Sequence, residues 1–462
     1  MSDIICVSPV DGRELVRRAC ASEAEIAASL KAAREAQREW ARVSIAKRAE
    51  YCRVAVAAML AMESEISPEL ALQMGRPVRY GPGELRGFAE RANYMIDLAE
   101  TALADIIPAP KQGFTRFVRR APLGLVLTIA PWNYPYLTAV NSIIPALMAG
   151  NGVRLKHAAQ TLLVGDRFQR AFDSADLPRG LFQTLTLDHA QTLALLGGRG
   201  VDHVCFTGSV AAGRAIERAA AGAFVGIGLE LGGKDPAYVR ADAAFDHAVE
   251  NIVDGAFFNS GQSCCGIERV YVAAPLYERF VEAASALTKT YVLGSPLEAA
   301  TTLGPMAQAS LAAGVRGQID AALARGARAH IDASAFAMSR AGTPYLAPQI
   351  LTNVDHSMQV MMQESFGPVV GIMKVASDDE AIALMNDSPY GLTASLWTAD
   401  ADAAANIGDA LQTGTVFMNR ADYLDPALAW TGVKDTGRGA TLSQLGYEML
   451  TRPKSYHLRT AI

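Results

Sequence analysis

Short apolar segments alternate with longer amphipathic ones between Val153 and Gly294, and this alternation narrows the choice of fold more than any other property of the sequence. GVRLK, VDHVCFTG and IGLELG have the length and composition of buried strands, and stretches typical of helices, such as AAGRAIERAA, lie between them. A second series of the same kind runs from Glu268 to Gly414 and just beyond. Apolar strands that alternate with helices of about 10 to 15 residues predict parallel sheets with helices on both faces, so we expect an α/β fold with two lobes.

Three regions lie outside this alternation. Residues 22–62 are rich in Ala, Leu, Arg and Glu, with charges three or four residues apart, and they predict helix; a second helical stretch continues to about Ala104. FTRFVRR (114–120) alternates and predicts a strand, and TRPKSYHLRT (451–460) predicts another. In this interpretation the two strands belong to neither lobe.

The composition excludes several classes of function. Half of the 462 residues are hydrophobic, which is enough to bury a large core, and the net charge of −5 without a basic block argues against nucleic-acid binding. The longest apolar run, near Gly124–Pro131, is far shorter than the ~20 residues of a membrane span, and MSDIICVSPVDGREL does not resemble a secretion signal. We therefore expect a soluble protein that acts on small molecules.

Cysteine and histidine are too sparse to indicate a disulfide scaffold or a metal site. The six cysteines include no C-x-x-C pair, and the seven histidines form no H-x-x-x-H or H-x-E cluster. We predict no metal site and a cytoplasmic, reducing location.

Cys264 is the cysteine whose surroundings suit chemistry. It lies in FFNSGQSCCGIERV (257–270), where small residues on both sides leave room for a substrate to reach the sulfur. A buried structural thiol is the alternative, and a nucleophile would need a neighbouring base or dipole to supply thiolate at neutral pH. We interpret the adjacent Cys265 as a packing residue.

Three further segments carry candidate residues. Glu230 lies in the apolar strand LELGGKDP (229–236), so it is either salt-bridged or a base with a shifted pKa. Asn133 lies between prolines in PWNYP, and its amide either caps a turn or donates to an oxyanion. Gly208 and Gly213 stand at a strand-to-helix junction, where they serve a phosphate or only a turn; their spacing is not that of G-x-G-x-x-G.

Together these segments resemble the NAD(P)-dependent aldehyde dehydrogenase superfamily over nearly the whole chain. The ordered motifs that carry the resemblance are PWNYP, GN-x-V-x-x-K ending at Lys156, FTGS-x-x-x-G, LELGGK, FFN-x-GQ-x-C, the LGP of Gly304–Pro305, E-x-FGP with Glu364 and Phe366, NDSPYGL (386–392) and GVK-x-(S/T)-G at Gly432–Gly437.

The resemblance implies a fold and an organisation. The fold would be aldehyde dehydrogenase-like, with two Rossmann-like parallel-sheet lobes and a small protruding β oligomerisation module in a homodimer or homotetramer. The implied domains are cofactor-binding (1–105 and 123–232), catalytic (233–440) and oligomerisation strands (106–122 and 441–462).

The resemblance also implies a mechanism. Cys264 would attack the aldehyde carbon, and the Asn133 amide and the Cys264 backbone N–H would hold the oxyanion. After hydride transfer to the nicotinamide, Glu230 would deprotonate the water that hydrolyses the thioester. A CoA-acylating aldehyde dehydrogenase and a non-catalytic binding protein that keeps the fold are the alternatives. The presence of Glu230 favours water over CoA, and the complete Asn133, Glu230 and Cys264 set argues against a non-catalytic protein.

The cofactor residues implied in the same way contact three parts of the nucleotide. Lys156 would contact the adenosine ribose, Ser209 the pyrophosphate and Glu364 the nicotinamide ribose. The others would line the channel or shape it: Trp132, Gly208, Gly213, Leu231, Gly232 and Phe366. Trp132 and Phe366 could equally be core aromatics.

The choice between NAD and NADP depends on one departure from the family pattern. Many NAD-preferring members have a glutamate three residues after the lysine, where this chain has Ala159. A carboxylate there would repel a 2′-phosphate. We therefore predict that NADP is tolerated, leave its preference over NAD open, and name His157 as a candidate for added positive charge.

Four residues near the implied substrate entrance are candidates for specificity. They are Tyr136, Arg420, Tyr423 and Trp430. Arg420 either pairs with a substrate carboxylate, such as that of a semialdehyde, or forms an internal ion pair with Asp422 or Asp425. Aliphatic aldehydes, aromatic aldehydes and semialdehydes all remain open as substrates.

Overall fold

A computed structural model of the protein describes residues 3–461. Its strands, numbered along the chain, are β1 Asp3–Val7, β2 Glu14–Ala19, β3 Phe114–Pro122, β4 Leu125–Ile129, β5 Gly152–Lys156, β6 Phe182–Thr184, β7 His203–Thr207, β8 Gly226–Glu230, β9 Asp235–Val239, β10 Ile267–Ala273, β11 Arg328–Ala329, β12 Gln349–Thr352, β13 Val369–Val375, β14 Tyr390–Gly391, β15 Thr393–Trp397, β16 Thr415–Met418, β17 Val433–Lys434, β18 Gly437–Arg438 and β19 Thr451–Arg459. Its α-helices are α1 Glu23–Trp40, α2 Ile45–Leu60, α3 Glu63–Met74, α4 Gly81–Ala102, α5 Pro135–Met148, α6 Leu162–Asp173, α7 His189–Gly197, α8 Val210–Ala220, α9 Phe245–Phe257, α10 Tyr277–Thr288, α11 Ala309–Ala324, α12 Gln359–Met362, α13 Asp378–Asn386, α14 Ala401–Ala410 and α15 Ser443–Met449.

Two large sheets confirm the predicted α/β class. The first has the strand order β18-β8-β7-β4-β5-β6, and all its neighbours are parallel except β18, which runs antiparallel to β8. The second has the order β11-β12-β13-β10-β9-β15-β16 and is parallel apart from β11. The central strands β4, β5, β9 and β10 are buried along their whole length, as expected of a sheet covered on both faces.

The two strands predicted to lie outside the lobes pair with each other. β19 and β3 form an antiparallel two-stranded ribbon with nine residue pairs, from Thr451 opposite Pro122 to Arg459 opposite Phe114. Phe117 stacks on Tyr456 with ring centroids 4.3 Å apart, and this cross-strand pair fixes the register.

The helical N-terminal region differs from its prediction in two details. Residues 22–62 form two helices, because Ser44 accepts a hydrogen bond from the Lys47 backbone N–H and begins α2 as its N-cap. The hairpin of β1 and β2 was not predicted, since its strands are short and mostly exposed.

The cores lie against the two sheets. One buried cluster joins α2, α4, α5 and α6 to β4 and β5, and another packs α9 and α10 on β9, β10 and β13. In residues 3–461, no helix combines the length and the hydropathy that a membrane crossing requires. The same residues contain no group of three or more His, Cys, Asp or Glu side chains placed to hold a metal ion.

Candidate active site

Cys264 lies on a loop between the end of α9 and the start of β10. The loop opens with Asn259, Ser260 and Gly261, which all have positive φ values of 54°, 57° and 70°. Left-handed backbone at consecutive non-glycine residues is strained, and it persists where surrounding contacts hold it. At Gly261 a Cβ would lie 2.3 Å from the Gly367 carbonyl oxygen, so only glycine fits. The loop is therefore fixed from both sides before it reaches the cysteine.

The Asn133 side chain is held next to this loop. Asn133 is 5% exposed, and its Nδ2 donates to the Gln262 carbonyl at 3.1 Å. Its backbone carbonyl accepts from Asn259 Nδ2 at 3.3 Å and from Arg76 Nη2. The amide has a second N–H and lines a cavity with Cys264, which is the arrangement that an oxyanion donor requires.

A buried ion pair fixes the loop that carries Asn133. Arg76 pairs with Glu84 Oε2, and Glu84 Oε1 accepts from the backbone N–H groups of Tyr136 at 2.9 Å and Leu137 at 3.1 Å. Arg76 Nε also donates to Asn259 Oδ1 at 3.2 Å. One guanidinium thus connects the asparagine loop, the first turn of α5 and the cysteine loop.

Glu230 ends β8, at the carboxyl edge of the first sheet. Its Oε1 accepts from the Thr441 hydroxyl at 2.6 Å and its Oε2 from the Thr207 hydroxyl at 3.1 Å. Within residues 3–461 it forms no ion pair, and burial raises its pKa while the two hydroxyls lower it. Of the two sequence-based readings, the structure therefore supports the poised carboxyl group rather than the salt bridge.

Two cavities meet at this residue and at Cys264. One, of about 380 Å³, runs past aromatic and charged side chains, among them Tyr80, Tyr134, Phe258 and Trp430. The other, of about 360 Å³, runs between the two sheets past Trp132 and Glu364. Thr207, Glu230 and Cys264 line both. We refer to them below as the substrate cavity and the cofactor cavity.

The cofactor cavity contains most of the residues that the sequence assigned to nucleotide binding. Trp132, Gly208, Ser209, Leu231, Gly232, Glu364 and Phe366 all line it. Trp132 and Phe366 meet edge to face, 5.6 Å between ring centroids, and both are only partly buried, so they are wall residues rather than core aromatics. Ser209 is the N-cap of α8 and accepts from the Ala212 N–H.

Two of the predicted glycines have packing reasons as well. A Cβ on Gly213 would lie 2.6 Å from Leu231 Cδ2, so this position lets α8 approach β8. A Cβ on Gly232 would lie 2.2 Å from Glu364 Oε2. Glu364 Oε1 accepts from the Gly233 N–H at 3.2 Å, and burial, followed by the charge of Glu268, raises the pKa of Glu364 to about 8. The buried carboxyl group of Glu364 is therefore shifted toward its protonated form.

A second buried ion pair fixes the loop of Glu364. Lys234 pairs with Glu268, whose carboxylate also accepts from the backbone N–H groups of Ser365 at 2.8 Å and Phe366 at 2.9 Å. Lys234 Nζ donates to the Ser365 hydroxyl at 2.9 Å. On both sides of the site, a carboxylate in a buried ion pair thus accepts hydrogen bonds from two successive backbone N–H groups and fixes a loop.

The predictions for Lys156 and His157 differ in how well they fit the structure. Lys156 ends β5 at the carboxyl edge of the first sheet, where burial lowers its pKa. His157 is buried, its Nδ1 accepts from the Ala158 N–H, and burial lowers its pKa to about 3. The hypothesis that His157 adds positive charge near a phosphate is therefore wrong.

Of the four predicted substrate residues, the structure places one in the lining of the substrate cavity and three elsewhere. Trp430 lines the substrate cavity. Tyr136 is not part of that lining; it is buried and stacks on Phe168 at 5.6 Å, because the first turn of α5 directs it into the core, and Tyr134 lines the cavity instead. Tyr423 donates to Glu90. Arg420 is exposed and stacks on the Tyr423 ring at 3.7 Å, and in residues 3–461 it pairs with neither Asp422 nor Asp425.

The comparisons with known proteins agree with this geometry. The model of the aldehyde dehydrogenase family matches residues 2–456, nearly the entire chain. The chain belongs to the aldehyde dehydrogenase family. The predicted class, an oxidoreductase that acts on aldehydes, is confirmed.

Named relatives extend the comparison over almost their full length. A succinate-semialdehyde dehydrogenase [NADP(+)] of Deinococcus radiodurans is 32% identical over 97% of this chain and 93% of its own. A succinate semialdehyde dehydrogenase [NAD(P)+] of Escherichia coli is 33% identical, with 96% and 95% covered. The crystal structure of PnpE in complex with nicotinamide adenine dinucleotide is 28% identical and matches with a TM-score of 0.94 over 100% of this chain and 95% of that one. The predicted fold and a nicotinamide cofactor, NAD or NADP, are thereby confirmed.

Several residues that the sequence did not assign to the substrate site line the substrate cavity of this aldehyde dehydrogenase. Three of them carry polar or charged groups that bear on its chemistry: Arg91, Cys265 and Asp422. Cys265 is 3% exposed and belongs to the first buried cluster, as a packing residue should, and its thiol also donates to Asp422 Oδ1 at 2.9 Å at the cavity wall. Burial raises the pKa of Asp422 to about 6. The sequence signal for Cys265 was its adjacency to Cys264. For Arg91, which lies on a long helix, the sequence offered no signal.

Proposed function

We propose that this aldehyde dehydrogenase oxidises an aldehyde to the carboxylic acid through a thioester on Cys264, with water as the acyl acceptor. The observation that carries the proposal is the meeting of the two cavities at Cys264 and Glu230. A nucleophile and a base that both face substrate and cofactor are what the reaction needs.

The steps follow from the groups at this junction. The Cys264 thiolate adds to the aldehyde carbon, and the negative charge that moves to the oxygen is stabilised by the second N–H of Asn133 and the backbone N–H of Cys264. Loss of hydride from that carbon leaves a thioester. Glu230 removes a proton from water as the water attacks the thioester, and the acid departs with return of the thiolate.

The residues of the cofactor cavity fit a nicotinamide nucleotide. Gly232 and Gly233 let Glu364 approach the backbone, and Ser209 opens α8, whose N–H groups suit a pyrophosphate. Lys156 and Glu364 would hold the two riboses, and Trp132 and Phe366 would border the ring. When bound, the nucleotide accepts the hydride. Ala159 places no carboxylate against a 2′-phosphate, so NADP is accepted as well as NAD.

The test follows nicotinamide reduction with a panel of aldehydes, each with NAD and with NADP. We expect turnover by the wild type, none by Cys264→Ser, and slow steady-state turnover by Glu230→Gln with acyl-enzyme accumulating on Cys264. If Cys264→Ser keeps its turnover, Cys264 is not the nucleophile. A rate that rises when CoA replaces water as acceptor would favour the CoA-acylating alternative.

We also propose the organisation that the sequence indicated: a cofactor-binding domain (1–105 and 123–232), a catalytic domain (233–440) and oligomerisation strands (106–122 and 441–462) in a cytoplasmic homodimer or homotetramer. The ribbon of β3 and β19 supports the oligomer, because a two-stranded ribbon leaves edges that another subunit can cover. We expect removal of residues 451–462 to yield smaller species in light scattering. An unchanged mass would contradict this assignment.

A further inference from the structure

Arg91 is a buried guanidinium in the substrate cavity that no carboxylate neutralises by direct contact. It lies on α4, is 8% exposed and lines the cavity together with Cys264. Its Nη1 donates to the Leu137 carbonyl at 2.7 Å and to Asn141 Oδ1 at 3.4 Å. Within residues 3–461 it makes no ion pair. Its remaining N–H groups are therefore available to a ligand.

The acidic groups nearest to Arg91 are already engaged. Glu84, Glu230 and Asp422 favour its charged form from a distance, while burial opposes it. Glu84 is committed to Arg76, and Glu230 to its two threonines. Asp422 accepts from the Cys265 thiol and the Ser263 hydroxyl. Burial of a charge without a close partner is costly, so the site is completed by an anion that is not part of the chain.

Asn141 adds a second unused donor at the same place. It is 2% exposed, lines the same cavity and directs its Oδ1 to Arg91, while its Nδ2 has no hydrogen-bond partner in the described part of the chain. A buried amide N–H without an acceptor costs free energy until a ligand supplies one. A guanidinium and an amide side by side match the two oxygens of a carboxylate.

We infer that Arg91 and Asn141 bind a carboxylate at the end of the aldehyde substrate opposite the reacting carbonyl group. The inference rests on the proposed function and narrows its substrate class to aldehyde acids. Arg79 and Arg86 line the same cavity, are exposed, and form no ion pair within residues 3–461. Their charge attracts an anionic substrate toward the cavity.

Asp422 would suit the opposite class, a cationic aminoaldehyde, and the two classes are separable by their hydrogen bonds. The Asp422 carboxyl accepts at 2.9 Å from Cys265 and at 3.4 Å from Ser263. At Arg91 and Asn141, by contrast, the groups that lack a hydrogen-bond partner are N–H donors. A substrate that brings acceptors completes this wall, whereas an ammonium group brings three donors and places its charge beside Arg91.

The experiment compares succinic semialdehyde with butyraldehyde, which also has four carbons but ends in a methyl group instead of a carboxylate. For the wild type we expect kcat/KM to be at least tenfold higher with succinic semialdehyde, mainly through KM. Arg91→Gln should lower the ratio of the two kcat/KM values at least tenfold. Asn141→Asp, which adds a fixed carboxylate beside Arg91, should lower the same ratio. Succinate should compete with butyraldehyde in the wild type but not in Asn141→Asp.

Arg48→Gln is the matched control. Arg48 is also buried and also donates to backbone carbonyls, those of Met148 and Ala41, but it lies outside the substrate cavity, so its loss should leave the ratio unchanged. Absence of turnover with every aldehyde would refute the proposed function itself. Turnover that favours butyraldehyde or 4-aminobutyraldehyde, or an Arg91→Gln variant that slows both test aldehydes equally, would refute only the inference. Should Arg91→Gln fail to fold, Asn141→Asp and the succinate competition decide.

Discussion

A buried ion pair lies on each side of the cleft, one by the substrate cavity and one by the cofactor cavity. The two pairs have the same arrangement of hydrogen bonds but a different cation. On the substrate side Glu84 accepts from two successive backbone N–H groups at the start of α5, and on the cofactor side Glu268 accepts from those of Ser365 and Phe366. The partner of Glu84 is Arg76, and that of Glu268 is Lys234. Each carboxylate fixes a loop that carries a site residue.

The difference in cation matches what each loop must do. The guanidinium of Arg76 reaches Glu84, Asn259 and the Asn133 carbonyl together, so it fixes Asn133, the proposed oxyanion donor, relative to the cysteine loop. Within residues 3–461, the hydrogen-bond acceptors of the Lys234 ammonium are Glu268 and the Ser365 hydroxyl. A planar fork sets the geometry of several groups, whereas an ammonium is a point charge. We therefore expect chemistry to depend on the first pair and nucleotide binding on the second.

The largest effect should follow Glu84→Gln. The variant leaves Arg76 buried without its counter-charge, and the NH2 group that replaces one carboxylate oxygen faces either Arg76 or the N–H groups of α5. Together these changes should cost ~3–5 kcal/mol of unfolding free energy. Because Asn133 then loses its fixed position, kcat should fall about 10- to 100-fold with a smaller change in the KM for nucleotide. Urea denaturation and steady-state kinetics measure both; an unchanged kcat would break the proposed link to the oxyanion site.

A smaller effect of a different kind should follow Glu268→Gln. Ser365 and Phe366 donate to different oxygens of Glu268, and glutamine keeps only one of them, so one of the two N–H groups loses its acceptor. The loop of Glu364 should then loosen, and the KM for NAD or NADP should rise about tenfold. The unfolding free energy should fall by ~2–3 kcal/mol, the value of hydrogen bonds to a charged group. Initial rates at varied nucleotide concentration test this, and a fall in kcat at saturating nucleotide as large as that of Glu84→Gln would erase the distinction between the two sides.

The smallest effect should follow Thr441→Val, at the junction of the two sides. Glu230 is held by neutral hydroxyls rather than by a cation, and the Thr441 hydroxyl lowers its pKa. Loss of that bond should raise the pKa further, so the rate of thioester hydrolysis should begin to fall at a higher pH as the solution is acidified. We expect the acidic limb of the pH–rate profile to move upward by about 0.5–1 unit. Thr207→Val should do the same, and a limb that does not move in either variant would mean that Glu230 is not the base.

The sequence predicted the parts of the molecule that repeat a local pattern. The buried strands were predicted from apolar runs, and Cys264, Glu230 and Asn133 were singled out as candidates because glycines or prolines flank these polar residues within a few positions. The sheet pairing of Gly437–Arg438 with β8 was not, since it depends on residues more than two hundred positions apart. It also means that a strand from within the predicted catalytic domain completes the sheet of the predicted cofactor domain.

The direction of individual side chains was the other part that sequence could not supply. Tyr134 and Tyr136 are two positions apart, and packing of α5 against Phe168 decides which one enters the core. Arg91 looked like an ordinary charged helix residue, because nothing local indicates that its helix face meets the cavity. His157 could be judged only once its burial was known.

The ribbon of β3 and β19 also limits how early the chain can complete its fold during synthesis. Thr451 is made 329 residues after its partner Pro122, which is about 15 to 65 s at a synthesis rate of ~5–20 residues/s. Thr441 and β18, which hold and flank Glu230, come from the same last stretch of chain. A growing chain therefore carries Cys264 well before it carries the hydroxyl and the strand that hold Glu230, so the proposed mechanism requires the C-terminal segment.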